Sequence, residues 1–306
     1  MHILPVYRSS AGLIDKLDAL RPAYNPETGV LNVTQADNVI FDASGAVVRR
    51  AGQTLLIAGN FHSGFSCGAW GLCVKDGVLN VVNSDLSLTA VTPTVSIRGK
   101  KVCYAKVIDD AQETVLFTDG LICGRIRNKV STAWTVQPYA GIQSFKAQTQ
   151  VFLPTIPLGH LMCIYNGRLY MAVDEKIYVS EFQAYSWFDD KLTFSMDSRV
   201  TMLRPALAGL YVGTLKNAVF FAGASLRSFA RIPILDSGVI EGSDNVYTAA
   251  VGTKNFIYFA SPNRGIFVFD DGGNLLFSTE DFLDFPSAVS GASLVHNKQY
   301  TLTLAV

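Results

Sequence analysis

NGRLYMAVDEKIYVSE, Asn166 to Glu181, is the sequence of a β-hairpin. Asn166 and Gly167 form a turn dipeptide. Leu169, Met171 and Val173 then alternate with Arg168, Tyr170 and Ala172, the period of two expected of a strand with one face more buried than the other. Asp174, Glu175 and Lys176 make a polar turn, and Ile177, Tyr178 and Val179 resume a β-branched and aromatic run.

Units of this kind recur along the chain. They begin as KDGVLNVVN at Lys75, DAQETVLFTDGLICGRI at Asp110, YNGRLYMAV at Tyr165, ALAGLYVGTLKNAVFFAG at Ala206, TKNFIYFASPNRGIFVFD at Thr253 and HNKQYTLTLAV at His296. Anchoring each on Leu79, Val115, Leu169, Leu210, Ile257 and Tyr300 gives intervals of 36, 54, 41, 47 and 43 residues. A period near forty-four, filled with short strands and almost no helical pattern, is that of a β-propeller with about four strands per blade. The expected fold is therefore all-β, a single β-propeller of six blades. None of these blades could bury both of its faces alone.

The last unit reaches Val306 after only one or two strands, and an incomplete blade leaves an open sheet edge. DNVIFDASG and AVVRRAGQTLLIAG, Asp37 to Gly59, read as a hairpin about Ser44 and Gly45, with Val39, Phe41, Val47, Leu55 and Ile57 as its apolar members. The ring is thus expected to close by pairing N-terminal strands with the C-terminal strand. Two separate domains would need a linker, and no Pro/Ser/Gly-rich segment divides the chain. Residues 11 to 20, AGLIDKLDAL, carry a helix-like spacing of Leu13, Leu17 and Leu20 that Pro22 and Pro26 end. Residues 1–30 are accordingly read as an arm that contacts a neighbouring subunit, and residues 31–306 as the propeller.

Composition bounds the function. Of 306 residues, 49% are hydrophobic and 16% charged, with 25 Lys and Arg against 25 Asp and Glu. A large core is available, and no global field attracts nucleic acid or anionic membrane. No run of eighteen apolar residues would span a bilayer, and MHILPVYRSS lacks the plan of a secretory signal, so assembly in a cytoplasm is expected. The five cysteines, Cys67, Cys73, Cys103, Cys123 and Cys163, lie in apolar strand-like context and read as small buried hydrophobes. Cys67 and Cys73 lack the spacing and the second Cys/His pair of a metal site.

Chemistry-bearing motifs are sparse. The histidines are His2, His62, His160 and His296, and no Gly-x-Ser-x-Gly elbow surrounds a serine beside them. Asp189-Asp190 and Asp270-Asp271 read as solvated turns rather than as facing glycosidase carboxylates. STAW at Ser131 lacks the rest of a sialidase box, no phosphate-binding glycine loop is present, and DNVIFDASG is too loose for calcium. Arg227 and Arg231 read as surface charge. No catalytic residue, cofactor or metal is expected, and the enzyme reading has no residues to carry it.

One passage resembles a known family. NVIFDASGAVVRRAGQTLLIAGNFHSGFS, Asn38 to Ser66, is similar to a stretch near the start of propeller-fold virion proteins of tailed bacteriophages, through Asn38, Asp42, Gly45, Arg49, Arg50, Gly52, His62 and Ser63. PLGHLMCIYNGRLYMAV, VSEFQAYSWFD and LYVGT also look like that family. The resemblance implies a structural component of a phage tail, a hub, nozzle, tail-tip or baseplate adaptor, assembled in the host bacterial cytoplasm into the virion. It would oligomerise and hold neighbouring tail or fibre proteins, with Leu13, Leu17, Leu20, Arg49, Arg50 and His62 as its contact residues. A second reading is a propeller that binds host-surface glycans, with Trp70, Trp134, Tyr139, Tyr185 and Trp187 stacking on sugars. Neither reading involves sequence-specific nucleic acid or membrane insertion.

Overall fold

A computed structural model describes residues 56–99, 101–109, 111–136, 152–248, 254–281, 283, 285–296 and 299–305, together with short strands at 24–25, 30–31, 39–41 and 47–49. The four strands nearest the N-terminus pair in twos: β1 (Tyr24–Asn25) with β2 (Val30–Leu31), and β3 (Val39–Phe41) with β4 (Val47–Arg49). Five four-stranded antiparallel sheets follow, each a meander in chain order.

The first blade is β5 (Phe61–Ser66), β6 (Gly71–Lys75), β7 (Val78–Val82) and β8 (Leu88–Ala90). The second is β9 (Cys103–Asp109), β10 (Gln112–Thr118), β11 (Cys123–Arg127) and β12 (Val130–Ala133). The third is β13 (Leu161–Tyr165), β14 (Arg168–Val173), β15 (Lys176–Glu181) and β16 (Ala184–Ser195). The fourth is β17 (Val200–Pro205), β18 (Gly209–Thr214), β19 (Ala218–Ala222) and β20 (Ala230–Leu235). The fifth is β21 (Asn245–Thr248), β22 (Asn255–Ser261), β23 (Gly265–Phe269) and β24 (Leu275–Ser278), and β25 (Ser290–His296) with β26 (Gln299–Ala305) forms a sixth, two-stranded sheet.

The propeller is therefore as expected in class, with five complete blades where six were expected. The sixth sheet stops at two strands among the described residues. The expected pairing of N-terminal strands with the C-terminal strand is not seen among the described residues: β3 and β4 bond to each other, and β26 bonds to β25. The helical pattern over residues 11–20 also lies outside them, and of the arm only Tyr24–Asn25 and the start of β2 are described.

Local chemistry sets the hairpins. Two-residue connections of the type I′ kind have positive φ at both central positions, which matches the right-handed twist of the strands. Asp76-Gly77, Asn128-Lys129 and Asn166-Gly167 all have it, joining β6 to β7, β11 to β12 and β13 to β14. The Asn166-Gly167 and Asp76-Gly77 turns are legible from the sequence.

The middle strands differ from the single-faced burial expected. Leu169, Tyr170, Met171 and Ala172 are all fully buried. The reason is that each of the second to fifth sheets lies between two others, so alternate residues of one strand enter two different cores. Leu169 and Met171 join Leu116 in the core between the second and third blades, while Tyr170 and Ala172 join Leu210 and Val212 between the third and fourth. Tyr211 and Phe220 face the other way, into the core shared with Ile257 and Phe259. Val115 and Phe117 pack on Leu72 and Leu79 between the first and second blades. Ala260 and Ile266 of the fifth blade meet Ala288, Leu302 and Leu304 of the last hairpin. Full burial of such a side chain is worth about 1.5–3 kcal/mol. That gain exists only while the neighbouring blade is in place.

The repeat also explains its own irregularity. Val115, Leu169, Leu210, Ile257 and Tyr300 all fall on second strands, but Leu79 is on β7, the third strand of its blade. Leu72, on β6, is the equivalent residue, and its interval to Val115 is 43 residues.

Candidate functional site

In every blade the first strand is an outer member of its sheet, so one edge of β5, β9, β13, β17, β21 and β25 has no ladder partner among the described residues. These six edges converge on one cavity of about 270 Å³, lined by residues of all six sheets: Ser63, Cys103, Met162, Arg204, Asn245 and Ser293 among them. The cavity marks the propeller axis.

Hydrogen bonds between successive first strands hold the wall. Val102 N donates to Ser63 Oγ (2.8 Å), and Met162 N donates to Cys103 Sγ (3.1 Å). His160 Nε2 bonds Val200 O (2.7 Å), which requires the Nε2–H tautomer. Burial pushes the His160 imidazole below its ordinary pKa, against the effect of this bond, and leaves it neutral at pH 7. Asn245 Nδ2 donates to Ser293 O (3.1 Å), and Ser293 Oγ donates to Asp244 O (3.1 Å).

Two cations and one carboxylate face this cavity. Arg204 Nε bonds Asp244 Oδ2, and Arg204 Nη2 donates to Asp244 O (3.2 Å). Asp244 is nearly buried, while 40% of the Arg204 side chain is exposed. Lys101 also lines the cavity, with its Nζ against the backbone of Gly242, where a Cβ would collide with it. Gly242 has φ +83, a conformation that also favours glycine. Lys101 has no ion pair or hydrogen bond among the described residues.

Of the contact residues inferred from the sequence, Leu13, Leu17, Leu20 and Arg50 lie outside the described residues, and Arg49 closes β4. His62 is on β5, opposite Val74, with Nδ1 2.8 Å from Ser63 Oγ. Ser63 Oγ also accepts from Val102 N, so the His-Ser pair ties the first blade to the second beside the axis. Burial lowers the pKa of His62. The sequence singled out His62 and Ser63 but missed Lys101, Arg204 and Asp244. A charged residue closing the apolar run VTMLRP was the available signal for Arg204.

Of the other sequence candidates, Tyr139 lies outside the described residues, and several of the rest are packed within the fold. Trp134 and Tyr185 are buried between the second and third blades, with Trp134 Nε1 donating to Ser186 Oγ, and Trp187 packs edge-on against Phe152. Asp189 is buried within β16 rather than in a solvated turn, and Asp271 accepts from Leu207 N and Asn255 N, joining the fourth blade to the fifth. All five cysteines are free thiols. Among the described residues no helix is long and apolar enough to cross a membrane, and no group of three or more metal-ligating side chains occurs.

A second surface lies at the rim. The outermost strand β24 exposes Leu275, Leu276 and Phe277 in succession, each more than half uncovered or close to it. Its free edge carries neither charge nor proline, whereas β20 has Arg231 and Pro233 and β16 has Asp190 and Lys191. A groove of about 560 Å³ runs beside it, lined by Arg231, Pro233, Arg264 and Leu275.

No protein-family model and no curated protein matches the chain. Among solved structures it is similar to BBS1N in complex with ARL6DN, at 10% identity and a TM-score of 0.48 over 85% of this chain and 80% of that one. It is also similar to BamB from Moraxella catarrhalis, at 13% identity and 0.41 over 87% and 73%. A third is the dihydro-heme d1 dehydrogenase NirN, at 15% and 0.47 over 78% of this chain, which spans about half (49%) of the NirN chain. At such identities the likeness concerns the fold alone.

Proposed function

We propose that this chain is an assembly protein rather than a catalyst: a structural component of a bacteriophage tail, as the Asn38 to Ser66 passage implies, that binds further copies of itself and neighbouring tail proteins. The observation that carries the assembly reading is the rim strand β24. Three consecutive exposed apolar side chains on an uncharged strand edge that is unpaired among the described residues are a template for pairing with another strand. The occupant we assign to it is a second copy of this chain, because a chain with no net charge opposes self-association weakly. Stiff blades hold that edge in place before contact, so little ordering entropy is lost on binding. Tail hub, nozzle and baseplate positions all suit such a part, with the cytoplasm of a host bacterium as the place of assembly and the virion as the destination.

The test is the mass of the particle in solution. Light scattering at tens of micromolar should give an oligomer for the unmodified chain and a monomer for Leu276→Lys with Phe277→Lys, both folded by circular dichroism. A monomeric unmodified chain would remove the support for self-assembly, and absence of the protein from purified phage particles encoding it would remove the tail reading.

A further inference from the structure

We propose that the axial cavity binds a small oxyanion, a carboxylate or a phosphate, between the Lys101 ammonium and the free face of the Arg204 guanidinium. Three observations carry this.

The first is an excess of positive charge in a half-open cavity. Lys101 and Arg204 face one carboxylate, Asp244, which is already engaged by Arg204 Nε. His160, neutral and bonded to a carbonyl, adds no compensating anion. The chain as a whole carries no net charge, so the excess is local. Walls of low dielectric strengthen its attraction for an anion relative to the open surface.

The second is that the surrounding polar groups are already matched to one another. Ser63, Asn245 and Ser293 all spend their side chains on hydrogen bonds within the wall. Lys101 Nζ, by contrast, has no partner among the described residues, and Arg204 Nη1 has none there either. Arg204 uses Nε and Nη2 on Asp244, leaving Nη1 as a donor for a ligand oxygen. An ammonium and a guanidinium held by the same wall offer a point charge and a directional donor to one oxyanion.

The third is the backbone that places Lys101. Any side chain at position 242 would displace the ammonium from the wall, and the positive φ of Gly242 already disfavours a side chain there. The volume sets the ligand size. A cavity of about 270 Å³ has room for phosphate or a short dicarboxylate.

The experiment is calorimetric titration of the full chain with inorganic phosphate and, separately, succinate, at constant ionic strength with sodium chloride as the balancing salt. Saturable binding with one site per chain is expected for at least one of the two, and which of them binds tells phosphate from carboxylate. Lys101→Met should weaken it at least tenfold. Lys101→Arg should retain most of it, which separates loss of charge from loss of folding. Heat without saturation for both anions, or equal affinity in a folded Lys101→Met protein, overturns the proposal.

Discussion

The rings of Tyr258 and Tyr300 stack with centroids 5.2 Å apart and planes 12° from parallel, and the Tyr300 hydroxyl donates to the carbonyl of Ser243. Tyr258 is on β22 of the last complete blade, and Tyr300 is on the outer strand of the sixth sheet. The stack and the hydrogen bond therefore fasten that hairpin to the ring beside Leu302 and Leu304. Tyr300→Ala should remove both contacts. Amide hydrogen exchange across β25 and β26 should speed up markedly while β14 and β18 keep their protection. Tyr300→Phe keeps the stack and should cost about 0.5–1.5 kcal/mol from the lost hydrogen bond alone.

The Asp119 carboxylate accepts four backbone N–H groups, from Arg98 and Gly99 at 2.8 Å each, Leu121 at 2.8 Å and Ile122 at 2.7 Å. It staples the crossing from the first blade to the turn of the second. Burial disfavours its charge, but the four donors prevail and hold its carboxyl below the ordinary value. A depressed folded-state pKa means that this stabilisation is complete above the unfolded value, near 4, and is lost as pH falls through the folded value. Asp119→Asn turns an amide towards two of the donors and should cost about 2 kcal/mol at pH 7. Denaturant midpoints of variant and unmodified chain should converge as pH falls through the folded value.

Alternate residues of one strand feed different cores, which double-mutant cycles can read. Leu169→Ala and Leu210→Ala should each cost about 2–5 kcal/mol. Together they should add to within about 0.5 kcal/mol, since Leu169 faces the second blade and Leu210 shares the core on the other side. Leu116→Ala with Leu169→Ala, in one core, should couple by more than that.

The five thiols should be slow to react in the native protein. Burial raises the pKa of every one, that of Cys67 to about 11, so thiolate is scarce at pH 8. Iodoacetamide labelling followed by mass spectrometry should give little modification in buffer and five alkylated cysteines after unfolding in guanidinium.

What the sequence disclosed follows from how local each signal is. Turns such as Asn166-Gly167 need particular residues at adjacent positions, so they are legible, and their recurrence gave the period and the fold class. Burial on both faces of Leu169 to Ala172 was not legible. The alternating pattern reports that some residues are apolar, and Tyr170 and Ala172 are ambiguous until a second blade is known to cover them. KDG, the more conspicuous turn, points to Leu79 rather than Leu72, one strand too late. The axial group was hidden for a different reason. Lys101, Arg204 and Asp244 are separated by 103 and 40 residues in sequence, and only the closing of the ring brings them to one cavity. The His62-Ser63 pair was visible because its two members are neighbours.

The central claim is that the sheets form a ring about one axis. Gly64 on β5 and Ala292 on β25 both line the axial cavity and are exposed, and a side chain at 64 meets no atom within 4 Å. Spin labels carried by unnatural side chains at these two positions, which spare the native cysteines, report the separation directly by double electron-electron resonance. With face-to-face sheets about 10 Å apart, a ring should give a single distance under about 20 Å, and an open stack of six sheets one near 50 Å. A dominant population at the longer distance would contradict the ring, and with it the axial site and the rigid scaffold on which the assembly role rests.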